Sequence, residues 1–347
     1  MLMGSRLSGA RFVVVAALAL FAFAAEAAVG LTVIAGGDGD GLVTVFYPSA
    51  SQALPVARGP FTLEVALNGT PLHGNARLIV VSHGSGGSPL VHADLARALV
   101  EQGFVVAMPE HVGDNYKDTS KVGPESWKRR PAEVSRTIDA VGRDPRFAPL
   151  LALDKVGMFG MSAGGHTALT LAGGRWSPAR LKEHCEAHIA EDFQGCVGLA
   201  TRLTGGLFDG WKKSVALWVI RHRMDDGEWY AYTDPRISAI IAAVPYAADF
   251  DMGSLAKPRV PVALVTARQD KWLLPRFHSD AVLQTCKLCT RLADFPNGGH
   301  GALLSPFPPG LSGLLAELLD DPPGFDRAAL PEAERRIAAF FGSHLLP

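Results

Sequence analysis

From Leu42 onward the chain alternates between short apolar runs and stretches whose apolar residues recur every three or four positions. Residues 43–47 and 62–67 read as strands around a loop carrying proline and glycine. Residues 78–82 form a continuously apolar strand, followed by a glycine-rich turn and a helix over about 90–100 in which Val91, Leu95 and Leu99 share one face. The next strand, 104–108, ends at Pro109, and Val134, Ile138 and Val141 then mark a helix starting near Pro131. Residues 156–159 are another buried strand, leading directly into a helix from Ser162 to about Ala172. The rhythm resumes with strands at 237–244, 260–266 and 290–295 and closes with a helix over about 332–344. Strands apolar on both sides, alternating with helices, predict an α/β domain with a mostly parallel central sheet covered by helices on both faces.

Between about residues 175 and 235 the rhythm stops. This stretch holds Cys185, Cys196, Trp211, Trp218, Trp229, Tyr230 and Tyr232. It is expected to be a mostly helical, lid-like insertion over the carboxyl ends of the strands. Its rings would either roof a pocket or form the insertion's own small core.

The first residues read differently. Arg6 and Arg11 precede an apolar run over 12–25, and Ala25-Glu26-Ala27 places small residues where a signal peptidase reads them. Residues 1–27 are therefore expected to be a secretory signal peptide and 28–347 the exported domain, secreted or periplasmic. The run is too short to cross ~30 Å of hydrocarbon, and no later segment is apolar for long enough, so no integral membrane segment is expected after cleavage. The full chain carries a formal net charge of −1, which gives no electrostatic reason to expect nucleic acid as a partner. In an oxidising compartment the four cysteines read first as disulfides. The local pairing, Cys185–Cys196 with Cys286–Cys289, is the simplest of the three possible.

Chemistry enters at Gly160-Met161-Ser162-Ala163-Gly164, a match to G-x-S-x-G. Chance alone supplies this pattern in roughly one chain in five of this size. Its context raises it: a buried strand runs in and a helix runs out, as a nucleophile elbow requires. His83-Gly84-Ser85-Gly86-Gly87 follows another buried strand. Such a loop can offer the Ser85 amide to an oxyanion, with the Ala163 amide at the elbow as the second donor. A serine at its free pKa needs a base held by an acid, in the chain order Ser, acid, His. His300, in Asn297-Gly298-Gly299-His300-Gly301, is the one histidine of eleven that is late, loop-borne and just past a strand. Asp270, a short loop after the 260–266 strand, is the acid, with Asp249 and Asp251 as alternatives. His83 and His166 read as structural. His111 and Asp114 are divided evenly between lining the pocket and not.

These stretches together resemble the dienelactone-hydrolase-like group related to platelet-activating-factor acetylhydrolases. The matching residues are Val45-Phe46-Tyr47-Pro48, Val80-Val81-Ser82-His83-Gly84-Ser85-Gly86-Gly87, Gly103 to His111, Arg130-Pro131-Ala132-Glu133-Val134, the elbow and the His300 loop. The resemblance implies an α/β-hydrolase fold, a Ser-Asp-His triad, hydrolysis of carboxylic esters, and neither metal nor cofactor. Two departures bear on it. The acetylhydrolases place their acid where this chain has Val244-Pro245-Tyr246, which favours Asp270, the dienelactone-hydrolase position. Dienelactone hydrolases use cysteine where this chain has Ser162.

The expected function is therefore an exported serine hydrolase that cleaves a small-molecule or lipid-like ester through an acyl-enzyme. An amidase or peptidase using the same triad is the alternative enzyme, and a catalytically dead binding protein the alternative outside enzymes. The latter would usually have lost the serine, the histidine or the oxyanion glycines, all of which are present.

Overall fold

Residues 27–347 are described by a computed structural model; the signal peptide expected over 1–27 lies, apart from Ala27, outside the described residues. In chain order the elements are β1 (Ala28–Ile34), β2 (Val43–Ser49), β3 (Leu54–Arg58), β4 (Phe61–Leu67), β5 (Leu78–Ser82), α1 (Ala93–Glu101), β6 (Val105–Pro109), α2 (Pro124–Arg143), β7 (Val156–Met161) and α3 (Ala163–Leu171). There follow α4 (Pro178–His188), α5 (Phe193–Val197), α6 (Asp209–Arg223), β8 (Ile237–Ala243), β9 (Val262–Ala267), α7 (Ser279–Thr285), β10 (Thr290–Phe295), α8 (Gly313–Leu319) and α9 (Leu330–Leu345).

The ten strands form one sheet in the order β10-β9-β8-β7-β5-β6-β2-β1-β4-β3. From β10 to β6 every neighbour is parallel, and antiparallel pairing is confined to β6 with β2, β2 with β1 and β4 with β3. The domain is thus α/β with a mostly parallel sheet. Strand β5 shows why such strands are continuously apolar. Leu78 and Val80 pack toward α2 and α3, while Ile79 and Val81 pack toward α1 and α9.

Helix α2 begins earlier than expected. Pro124 occupies its first turn and Pro131 lies inside it. An interior proline costs about 3 kcal/mol, but starting at Pro131 would pull Trp127 and Arg130 off the helix face that buries them. Burial outweighs the local rule. Strand β1, which pairs with β2 along its whole length, was not anticipated.

Residues 175–235 hold α4, α5 and α6, which account for only about half of that length; the stretch is less helical than its pattern implied. It is tied to the carboxyl end of the sheet at several points. The Tyr246 hydroxyl, just past β8, donates to the Gly195 carbonyl at 3.2 Å. Asp192 lies 2.8 Å from His184 Nε2 and 3.3 Å from His278 Nε2. Arg202 pairs with Glu317 of α8. The expected rings are not buried together. Tyr230 is half-buried against Trp176, whereas Trp211, Trp218, Trp229 and Tyr232 stand exposed. Those four do not form a buried core of the insertion.

Two disulfides are present, Cys185–Cys196 between α4 and α5 and Cys286–Cys289 after α7. No helix of the described residues is long and apolar enough to cross a membrane. The two bridges close loops of sequence separation 11 and 3. Loop-closure entropy assigns them about 3 and about 2 kcal/mol respectively. Urea unfolding of Cys185→Ser/Cys196→Ser should therefore show the larger loss of the two double variants. A larger loss in Cys286→Ser/Cys289→Ser would contradict this.

Candidate active site

Strand β7 passes into α3 through Ser162, whose backbone sits at φ 57°, ψ −116°. A side-chain-bearing residue seldom adopts this conformation, and the end of β8 holds it there. The Ser162 N–H donates to the Ala243 carbonyl at 3.0 Å, and the Ser162 carbonyl accepts from the Tyr246 N–H at 3.1 Å and the His166 N–H at 3.0 Å. The glycines of the motif supply space. A Cβ on Gly160 would lie 1.9 Å from the Gly164 carbonyl oxygen, and one on Gly164 2.0 Å from that of Ser82.

Ser162 Oγ lies 3.0 Å from His300 Nε2, and His300 Nδ1 lies 2.7 Å from Asp270 Oδ2. A carboxylate only accepts, so Nδ1 carries the proton and Nε2 is free to accept from the serine hydroxyl. Asp270 is fixed independently, since its Oδ1 accepts the Trp272 and Leu273 N–H groups, both at 2.8 Å. The Gln269 N–H donates to the Gly298 carbonyl at 2.9 Å, which joins the Asp270 and His300 loops. Asp270 and His300 are buried, Ser162 only partly so. The Trp272 ring lies beside His300, with centroids 5.1 Å apart.

The glycine-rich loop after β5 passes directly beside this group; a Cβ on Gly84 would lie 3.3 Å from Ser162 Cβ. Its shape is set from behind by Arg130, which has no exposure to water. Arg130 Nη1 donates to the His83 carbonyl at 2.6 Å, and Nη2 to Asp114 Oδ2 at 2.8 Å. Asp114 Oδ1 in turn accepts the Ser85 hydroxyl at 2.7 Å and the Gly86 N–H at 2.8 Å. Burial works to raise the Asp114 carboxyl, but Arg130 and the bonds from Ser85, Ser126 and Gly86 outweigh it and hold the pKa at about 2.

His83 completes the support. Burial above all, then its neighbours His111 and Arg130, push its pKa well below the usual imidazole range, so it is neutral. Its Nδ1–H donates to the Gly84 carbonyl at 2.7 Å, while its Nε2 accepts the His111 N–H at 3.4 Å. With the Gly84 carbonyl held there, peptide planarity turns the Ser85 N–H to the opposite side. That N–H has no acceptor among the described residues. Ala163 opens α3, so its N–H also lacks an acceptor inside the helix.

Of the five expected residues, Ser162, His300 and Asp270 form one contact series, Ala163 follows the serine directly, and Ser85 follows Gly84, which packs against Ser162. The alternative acids are engaged elsewhere, Asp249 with His166 at 3.0 Å and Asp251 with Arg175 at the surface. His111 is buried, bonded to Ser82 at 2.7 Å and Glu133 at 2.6 Å, and so backs the loop with Asp114. Sequence reasoning missed the roles of Arg130 and of Val244–Tyr246. Arg130 had a readable signal, since an arginine four residues before Val134 falls on the apolar face of α2. The His184–Asp192–His278 cluster had none, because its members meet only through the fold. Beside it a cavity of about 220 Å³ separates Asp192, Phe193 and Leu203 from Lys271 and Leu274.

An imidazole that accepts from a serine hydroxyl and donates to a fixed carboxylate can take the hydroxyl proton as the oxygen attacks a carbonyl carbon. No protein-family model matches the chain, and the search of curated proteins found no match either.

Asp192, like Asp114, is held at about 2: burial works to raise it, and the imidazoles of His184 and His278 more than offset this. Both lie below the ~3.9 of an unfolded aspartate. Each therefore contributes stability that is complete above about pH 4 and is lost as the pH falls toward 2, on the order of 2 kcal/mol apiece. Urea midpoints measured from pH 6 to pH 2.5 should fall, and Asp192→Asn should lower the neutral-pH midpoint and flatten the fall. An unaltered slope in that variant would contradict the assignment.

Proposed function

We propose that this protein is a serine hydrolase with an α/β-hydrolase fold, of the dienelactone-hydrolase-like and acetylhydrolase-like kind, acting on carboxylic esters outside the cytoplasm. The observation that carries the reading is the contact series Ser162–His300–Asp270, at 3.0 and 2.7 Å, on a serine of strained backbone at a strand-to-helix turn. Ser162 attacks the ester carbonyl while His300 takes its proton, and Asp270 orients the imidazole and stabilises its charged form. The tetrahedral oxyanion is received by the Ser85 and Ala163 amides, helped by the N-terminus of α3. The alcohol leaves with the proton from His300, and water activated by the same histidine hydrolyses the acyl-enzyme. The two disulfides accord with export, and residues 175–235 serve as a cap tied to the loops around the site.

Within this mechanism Arg130 and Asp114 are positioning residues. Their pair touches the loop that presents the Ser85 amide and does not touch substrate.

Ser162→Ala should lower kcat on p-nitrophenyl esters by about 10⁴-fold or more with an unchanged fold, because the residues of such a triad act as a unit. It should also abolish labelling by a fluorophosphonate probe, which mass spectrometry of the native protein should place on Ser162. Persistent turnover or labelling elsewhere would remove the proposal. Asp270→Asn should leave labelling slow but detectable and reduce kcat by about 10³–10⁴-fold, the cost of a misoriented imidazole.

A further inference from the structure

The outward face of α6 is apolar. Trp211, Val215 and Trp218 recur at helical spacing along one side and are 66, 39 and 61 % exposed. Leu207 and Phe208 extend the patch just before the helix, with Phe208 74 % exposed. The opposite side carries Ile220, which is buried, and Ala216 and Leu217, which pack against the core. An amphipathic helix normally turns its apolar stripe inward. Here the most aromatic side faces water, and it spans two turns rather than a single scattered residue.

The charge on this helix is as one-sided as its rings. It carries Lys212, Lys213, Arg221 and Arg223 against Asp209 alone, in a chain whose net charge is −1. Asp209 is occupied by Lys212 at 3.0 Å and by the Thr204 and Gly205 N–H groups. Arg221 reaches Glu186 at 2.6 Å, and neither Lys213 nor Arg223 has an ion-pair partner among the described residues. At 100° per residue, Arg221 borders the Trp211–Trp218 stripe on one side and Lys212 and Arg223 on the other.

We infer that this face docks on an anionic lipid surface. Trp211 and Trp218 would sit at the headgroup level with Phe208 and Leu207 beneath them, and the flanking cations would meet lipid phosphates. Tryptophan is favoured at that depth because its ring is apolar and its N–H is wet. A helix with an apolar stripe and basic borders lies in the plane of such an interface. The charge also decides against a second copy as occupant: pairing two α6 faces would set a strongly cationic helix against its own like. An anionic surface neutralises the same cations. The inference does not depend on Ser162 being a nucleophile.

Cosedimentation with vesicles tests it. The exported chain should bind vesicles containing phosphatidylglycerol and bind pure phosphatidylcholine weakly, with a blue shift in tryptophan emission and a loss of binding in high salt. Trp211→Ser/Trp218→Ser should weaken binding by about tenfold or more. Arg221→Gln/Arg223→Gln, which removes one bordering cation from each side of the stripe, should weaken it by about fivefold per cation, and this second variant decides the matter should the first not fold by circular dichroism. Three outcomes would overturn the inference. One is no binding to either vesicle, and another is equal binding to both with no effect of the cation variant. The third is a dimer in light scattering that the tryptophan variant dissolves.

Discussion

Arg130 carries a full charge into a space with no water, and Asp114 is the group that answers it. A lone guanidinium there would cost several kcal/mol, a large share of a domain's net stability, so either member needs the other. The consequence is geometric. Asp114 reaches Arg130 from the loop after β6, and Arg130 reaches Asp114 from the second turn of α2. The His83–Gly87 loop is caught between them, with its His83 carbonyl, Ser85 hydroxyl and Gly86 N–H all used in closing the network. A glycine-rich loop that would be mobile alone is therefore held in one shape. Such a satisfied buried network makes alternative loop shapes expensive.

The strain at Ser162 is held by similar means. A serine at φ 57° persists because three hydrogen bonds, to Ala243, Tyr246 and His166, surround its peptide groups. Two of these come from the end of β8, where Val244 itself sits at φ 37°. Position 244 is a poor one for a β-branched side chain, so the strain of the elbow is shared with the strand beside it. The Val244–Tyr246 turn, which looked like the place where an acid was missing, instead clamps the serine and, through the Tyr246 hydroxyl, anchors residue 195 of the insertion.

Much of this was legible in the sequence because strand burial and glycine placement are local. Doubly buried strands need continuous apolar runs, and close backbone approach at 160 and 164 needs glycine, so β5 to β9 and the elbow could be read directly. The Ser, acid, His order then selected Asp270 and His300. What could not be read depends on partners distant in sequence. Pro131 marks a helix start by local rule, yet it lies within α2 because Trp127 and Arg130 require burial. The rings of 175–235 were assigned an inward role on hydrophobicity alone, and hydrophobicity does not say which way a helix faces when its opposite side is also apolar.

Sheet order explains why these particular loops could converge. Strands β5, β7, β8, β9 and β10 are contiguous and parallel, so their carboxyl ends lie along one edge. The Ser162 turn follows β7. On one side β5 delivers the His83–Gly87 loop, and on the other β8, β9 and β10 deliver in succession the clamp, Asp270 and His300. The glycine-rich loop and the Asp270–His300 pair thus approach the serine from opposite flanks. In this arrangement the insertion need not supply chemistry, which leaves the outer face of α6 free to carry rings and charges that the site itself has no use for.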